Sequence, residues 1–173
     1  MGGRRARKGL LAVIVLAGLL FNTTALAAGM LDAIGDVAVA VAKMTMELVK
    51  HRAALYMACA AYRVEFGKWP SRKEDLLAVK DLVAKKGADE ETLTQIVEGM
   101  EIAFTRLEDG RLLIEGRYGE KMESDLEKTG MGKCRISVIA SYAENEIVFA
   151  PSNKIKRDKT YFNISAKFSD IKK

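Results

Sequence analysis

Histidine and cysteine are scarce in this chain, and their scarcity excludes several kinds of site. Among the 173 residues there is one histidine, His51, and there are two cysteines, Cys59 and Cys134. A zinc site needs three or four such ligands from neighbouring elements, so the sequence predicts no metal centre. His51 and Cys59 lie about 12 Å apart if they share one helix, too far for a Cys–His nucleophile pair. Because phosphate-binding glycine loops and serine nucleophile elbows are also lacking, we expect neither an enzyme nor a cofactor.

An excess of charge is also lacking once the first 27 residues are set aside. The formal net charge is +5, but four of the cations lie at residues 4–8 and no acidic residue precedes Asp32. Residues 28–173 therefore contain 24 basic and 23 acidic side chains. A nearly neutral domain offers no electrostatic footprint to a polyanion, so we expect no nucleic-acid binding.

The first 27 residues read as an export signal. A basic segment at residues 4–8 precedes an apolar run at residues 10–21, and small residues follow up to Ala27. This order is typical of a secretory signal peptide cleaved after Ala27. In the alternative, residues 10–28 are retained as a single membrane anchor with the remainder facing outward. Both alternatives export the remainder, which we expect to be periplasmic, secreted or anchored on the outer side of a membrane.

The longest regular pattern predicts a single helix over residues 31–66, which we call the spine helix. Its apolar residues recur in steps of three and four, as on one face of a helix. At about 1.5 Å per residue the helix would be about 54 Å long, more than a domain of this size can cover. The alternative is a helix broken near Gly35 or Lys43. We expect the uncovered first half to bind a partner through Ile34, Val37, Val41, Met44 and Leu48. A second apolar set comprises Val39, Met46, Ala53 and Ala60.

Shorter elements follow the spine helix. Gly67 and Pro70 end it, and Ser71 with Glu74 predicts a capping box for a helix at 72–85. Alternating apolar residues then predict antiparallel strands. The expected elements are a short helix at 89–97, a loop or helix at 122–128, and strands at 100–107, 112–118, 134–142, 147–149 and 161–168. The predicted fold class is α+β: one domain at 28–173, in which a long N-terminal helix packs on a small antiparallel sheet.

Three side chains allow two interpretations each. Cys59 and Cys134 either form a disulfide in an oxidising compartment or remain two separate buried thiols. Trp69 either covers the end of the spine helix or serves as an exposed anchor for a partner.

The end of the spine helix resembles a known family. The segment Tyr62-Arg63-Val64-Glu65-Phe66-Gly67-Lys68-Trp69-Pro70-Ser71, followed by Asp75-Leu76, is similar to that of type IV pilins and type II secretion pseudopilins. The resemblance implies a long helix packed on a small sheet and assembly through that helix. Lys8-Gly9-Leu10 could imitate the family's processing site, but the glutamate usual at the fifth mature position would then fall at Ile14 and is absent.

Two functions follow as hypotheses. In the first, the chain is an exported structural or interaction protein, similar to a pilin, that uses its spine helix for assembly with itself or another protein. In the second, it is a soluble binding domain for a peptide, lipid or protein, with a pocket lined by Met44, Met46 and residues of the sheet.

Overall fold

The long helix predicted from the sequence is continuous. The structure is a computed structural model that describes residues 26–85, 90–153 and 160–169, with the backbone alone at 26–34 and 160. Helix α1 spans Leu26–Phe66 without a break, so the alternative of a helix interrupted near Gly35 or Lys43 is wrong. Gly67 follows it with a φ of +67°, a left-handed conformation that glycine adopts without strain.

The chain divides into two units whose boundary lies within α1. The first unit is Met1–Ala40, of which the described part, residues 26–40, is helical. The second unit is Val41–Lys173 and contains the rest of α1 and every later element. The predicted signal peptide at 1–27 and the alternative anchor at 10–28 lie outside the described residues, except for positions 26–28.

Along the described part of the chain, three short helices follow α1 before the first strand, and a fourth connects two strands of the sheet. They are a 3₁₀ helix at Lys73–Val79, α2 at Lys80–Lys85, α3 at Glu90–Gly99 and α4 at Glu120–Lys128. The acid that caps the 3₁₀ helix is Asp75 and not the predicted Glu74. Its Oδ2 accepts hydrogen bonds from the backbone N–H of Ser71 at 2.8 Å and of Arg72 at 3.2 Å.

The described strands form one sheet of six strands. They are β1 Met100–Arg106, β2 Leu112–Tyr118, β3 Cys134–Ala143, β4 Glu146–Pro151, β5 Thr160–Tyr161 and β6 Ala166–Phe168. Antiparallel pairing gives the order β1–β2–β3–β4–β6, and β5 pairs in parallel with the beginning of β3. The last strand, predicted at 161–168, is therefore divided into two short ones.

Both predicted hairpins are present, and their turns explain the residues found there. Leu107 and Arg111 close the β1–β2 turn, where Gly110 has a φ of +81°. Between β3 and β4, Glu144 and Asn145 both have positive φ, at 51° and 61°. Two consecutive left-handed residues match the right-handed twist of the paired strands, which makes this a favoured hairpin turn.

The core lies between the Val41–Phe66 part of α1 and one face of the sheet. Its residues follow the helical period on α1 and alternate positions on the strands, among them Leu48, Leu55, Ala58 and Tyr62 facing Leu112, Ile114, Ile136, Val138 and Phe149. Tyr56 stacks on Phe149 with ring centroids 4.5 Å apart and an angle of 4° between the rings. The predicted α+β class, with a long helix on a small antiparallel sheet, is confirmed.

Candidate interaction surface

The face of α1 opposite the core is apolar and exposed. Ala42, Met46, Val49 and Ala53 recur in steps of four, three and four, and we call these four residues the outward apolar face. Met46 is 61% exposed and Val49 is 41% exposed; both alanines are exposed as well. With about 3.6 residues per turn, this spacing aligns the four side chains in one row, as in the seam of a coiled coil.

Charged side chains lie along one border of this face. Lys43 and Lys50 are both exposed and are seven residues apart, so they occupy equivalent positions beside the row. The other border is uncharged at Thr45, whose hydroxyl donates to the Val41 carbonyl at 2.8 Å. Glu47, also exposed, lies on the same side between the two lysines. An apolar row with charges of both signs on one flank is therefore available to solvent.

The structure divides the predicted partner residues between surface and core. In the first unit, Val37 is 58% exposed and Val39, from the second apolar set, is 53% exposed. Val41 and Met44 are half-buried, and Met44 packs against the core. The side chain of Ile34 lies outside the described residues.

Leu48 is a correction among the partner residues. It is fully buried, because the same helical spacing that aligns it with Met44 turns it toward the sheet. The predicted pocket is also wrong: Met44 contacts the core, whereas Met46, two residues later, points to the opposite side of the helix. The two methionines therefore do not line one cavity.

Trp69 is a second correction, because it is not an exposed anchor. Only 5% of it is exposed, and its indole Nε1 donates to the Gly110 carbonyl at 3.0 Å. The ring thereby joins the end of α1 to the β1–β2 turn. The interpretation of Trp69 as a cover for the helix end is the one that matches its burial.

One arginine of α1 is buried, and it was not singled out from the sequence. Arg52 is 0% exposed. Its Nε donates to the Phe162 carbonyl at 2.9 Å, its Nη1 to the Tyr118 hydroxyl at 3.3 Å and its Nη2 to the Arg135 carbonyl at 3.5 Å. The signal was present in the sequence, since Arg52 lies four residues after Leu48 and three before Leu55 and thus falls on the buried stripe.

Burial changes the acidity of the groups around this arginine. Desolvation lowers the pKa of Arg52, partly offset by attraction to Tyr118 and Tyr56. Burial also raises the pKa of Tyr56 and of Tyr118 to about 12 each, so both hydroxyls remain protonated near neutral pH. Arg52 is therefore a cation held by neutral oxygen atoms.

The two cysteines and the histidine are buried in the second unit. Cys59 and Cys134 are free thiols in the structure, which is the second of the two predicted alternatives and not the disulfide. Burial raises the pKa of both, so their thiolates are disfavoured. His51 packs beside Tyr118 with ring centroids 5.8 Å apart, and its Nδ1 is buried without a hydrogen-bond partner.

The part of the chain that the structure describes contains neither a group of metal ligands nor a helix suited to spanning a membrane. There, no cluster of three or more histidine, cysteine or acidic residues could hold a metal ion. Within the same residues, no helix is both long and apolar enough to cross a membrane.

Comparison with known proteins assigns the chain to no family. No protein-family model matches the sequence, and neither the curated proteins nor the solved structures contain a match. The fold and its exposed helix face therefore define the chain as an α+β protein with a candidate surface for helix packing.

Proposed function

We propose that the protein is an exported, non-enzymatic structural protein that assembles with further copies of itself through the outward apolar face of α1. The exposure of Met46 and Val49 is the observation that carries this proposal. Apolar side chains in one row lose contact with water when a second helix packs on them, and each contributes about 25 cal/mol per Å² of apolar surface that it buries. Assembly through this face thus has a physical driving force.

The spacing of the row supports a helix as the occupant. Steps of four and three residues let side chains of one helix fit between those of another. Ala42 and Ala53 are small, so two helix backbones can approach closely at these positions. The resemblance of residues 62–71 to pilins and pseudopilins points in the same direction, since those proteins assemble through their long helices.

The proposal is tested by placing charge in the row. We expect the full chain to self-associate in sedimentation over a range of concentrations. The double variant Met46→Glu/Val49→Glu should weaken this association at least about tenfold, because two carboxylates would have to be desolvated between the helices. Both positions are exposed in one copy, so the fold itself should be retained.

Leu77→Glu is the matched control, since Leu77 is an exposed apolar residue that belongs to the 3₁₀ helix and not to α1. It should associate as the unchanged chain does. A chain that stays monomeric at every concentration would overturn the proposal, as would an association that both substituted proteins share equally. Association only with a different protein would replace self-assembly by a heteromeric complex and would likewise overturn it.

Export is tested separately by sequencing the N-terminus of protein recovered from outside the cytoplasm. A mature start at Ala28 corresponds to signal-peptide cleavage, a start at Leu10 to pilin-type processing, and an intact start to an anchored protein. Protein that remains in the cytoplasm would contradict export.

A further inference from the structure

Arg63, near the end of α1, is held between two aromatic rings. Its Cζ lies 5.7 Å from the centroid of the Trp69 ring and 5.0 Å from the centroid of the Tyr142 ring. A guanidinium within about 6 Å of an aromatic ring is attracted to it, and two rings restrict its orientation. The guanidinium is therefore oriented before any ligand arrives.

Among the described residues, no hydrogen-bond acceptor is found for the same guanidinium. Among residues 26–85, 90–153 and 160–169, Arg63 makes no ion pair, and its Nε is buried without a hydrogen-bond partner. The residue as a whole is half-buried, which leaves the Nη groups as the donors that solvent reaches. Arg52 differs in this respect, since it is fully buried and donates to oxygen atoms of the protein on each side.

Two more cations lie around Trp69. Arg106 donates from Nη2 to the Trp69 carbonyl at 3.2 Å, and Lys68 precedes Trp69 in the chain and is exposed. Within the described ranges neither forms an ion pair with a carboxylate. Asp109, one of two acids in the β1–β2 turn, is paired with Arg111, at 2.6 Å between Oδ2 and Nη2. Arg63, Lys68 and Arg106 thus make no ion pair with a carboxylate among the described residues. Two exposed acids, Glu65 and Glu108, lie two residues from Arg63 and Arg106 along the chain.

We propose that Arg63, with Lys68 and Arg106, forms a carboxylate-binding site for an acidic segment of a protein partner. A planar guanidinium presents paired N–H donors that fit the two oxygens of a carboxylate. Exposed aromatic surface adjoins the site at Tyr142, which is 41% exposed, and at Phe66, three residues after Arg63 on α1. This combination of charge and apolar surface fits a peptide that carries glutamate or aspartate.

This site is separate from the outward apolar face. Ala42, Met46, Val49 and Ala53 end ten residues before Arg63, and the two surfaces need not bind the same molecule. Self-assembly and acidic-peptide binding therefore succeed or fail independently.

The test uses the fluorescence of Trp69, the one tryptophan in the sequence. A ligand that engages Arg63 alters the cation stacked on this ring, so titration of the full chain with acetyl-tetraglutamate amide should change the emission with a saturable curve. Acetyl-tetraglutamine amide, which has the same length and no charge, should give no saturable change. Arg63→Gln should weaken binding of the glutamate peptide about tenfold, the usual effect of removing a charged hydrogen bond.

Two variants separate a specific guanidinium from net charge. Arg63→Lys keeps the charge but loses the planar pair of donors, so its affinity should lie between those of the unchanged chain and Arg63→Gln. Arg117→Gln removes one exposed cation on β2, where Arg117 pairs with Glu101, and should leave the affinity within about twofold. If Arg63→Gln does not fold, the site is tested with Arg106→Gln and Lys68→Gln, which change exposed side chains. Each of these two variants should weaken binding of the glutamate peptide about threefold or more.

Three results would overturn the proposal. The first is an unchanged chain that fails to bind the glutamate peptide. The second is equal affinity of the unchanged chain and the folded variants at positions 63, 68 and 106. The third is preference for another anion: inorganic phosphate, or vesicles containing phosphatidylserine, binding more tightly than the peptide in the same titration.

Discussion

The guanidinium of Arg52 donates from Nη1 to the Tyr118 hydroxyl at 3.3 Å and lies 5.3 Å from the centroid of the same ring. Its other donors reach the carbonyls of Arg135 and Phe162. One side chain of α1 thus connects the helix to β2, to β3 and to the segment that follows β5. Because the acceptors are neutral, the stability of this arrangement depends on hydrogen bonds and packing and not on an ion pair.

Arg52→Ala should lower the free energy of unfolding by about 3 kcal/mol. The substitution removes three hydrogen bonds and leaves a cavity beside Tyr118. Arg52→Met, which retains most of the volume and no longer buries a charge, should lose only about 1 kcal/mol. Urea unfolding measures both values, with Arg117→Ala as the exposed control, expected within about 0.5 kcal/mol of the unchanged chain. Equal stability of Arg52→Ala and the unchanged chain would contradict this account.

The two buried tyrosines should respond oppositely to loss of their hydroxyls. The hydroxyl of Tyr118 accepts a hydrogen bond from Arg52, so Tyr118→Phe should lower the free energy of unfolding by about 1 kcal/mol. The hydroxyl of Tyr56 is buried without a partner, so Tyr56→Phe should leave the stability unchanged or raise it by up to about 1 kcal/mol. Each variant removes the same single atom, and thermal unfolding compares them directly. A larger loss for Tyr56→Phe than for Tyr118→Phe would refute the assignment.

His51 should make the protein less stable as the solution becomes mildly acidic. Burial lowers the pKa of His51 below its usual 6.5, against opposing contributions from Glu47 and a hydrogen bond with Gln95. The unfolded chain therefore binds a proton first as the pH falls through 6.5, and stability is lost by at most about 1.4 kcal/mol per pH unit. The stability that depends on neutral His51 is fully present above pH 6.5. Urea unfolding between pH 7.5 and pH 5 measures the slope, which His51→Gln should abolish; a slope of the opposite sign would show that the folded state favours the charged imidazole.

Asp75 gives a second pH dependence at lower pH. Burial opposes its ionisation, but hydrogen bonds from Ser71 and Arg72 outweigh this and lower the pKa of Asp75 from 3.8 to about 2. Its contribution to stability is therefore present above about pH 4 and is lost as the pH falls toward 2. Asp75→Asn should cost about 1 kcal/mol at pH 7, and the difference from the unchanged chain should disappear near pH 2. The neighbouring exposed acid provides the control: Glu74→Gln should have no effect at either pH, and an equal loss in both variants would restore Glu74 as the cap.

Local chemistry explains which elements could be predicted from the sequence. The spine helix, its end at Gly67 and the hairpins at Asp109-Gly110 and Glu144-Asn145 follow from periodicity and from the backbone conformations that these residues permit. Some boundaries and caps differ from those predicted, as the divided strand near residue 161 and the capping role of Asp75 show. Hydrogen bonds across two or three residues decide such details, and several residues compete for them.

The candidate sites were harder to predict, because burial depends on what packs against each face. Leu48 and Met46 differ by two positions in one apolar helix, and the sequence offers no rule for which of them meets the sheet. Arg52 lies on the buried stripe by its spacing, yet a charge there is unfavourable unless acceptors arrive from other elements. Those acceptors, at Tyr118, Arg135 and Phe162, come from distant parts of the chain.

By itself, the sequence determined the long helix with apolar residues on more than one face, the order of helices and strands, and the near-neutral charge of residues 28–173. These depend on composition and on spacing along the chain, which local physical rules are sufficient to interpret. Tertiary structure alone decided that Trp69 is buried, that Met46 is exposed, and that Arg63 lies between two aromatic rings. Each of these results depends on contacts between residues far apart in sequence, since the sheet covers one face of the helix and leaves the other in water.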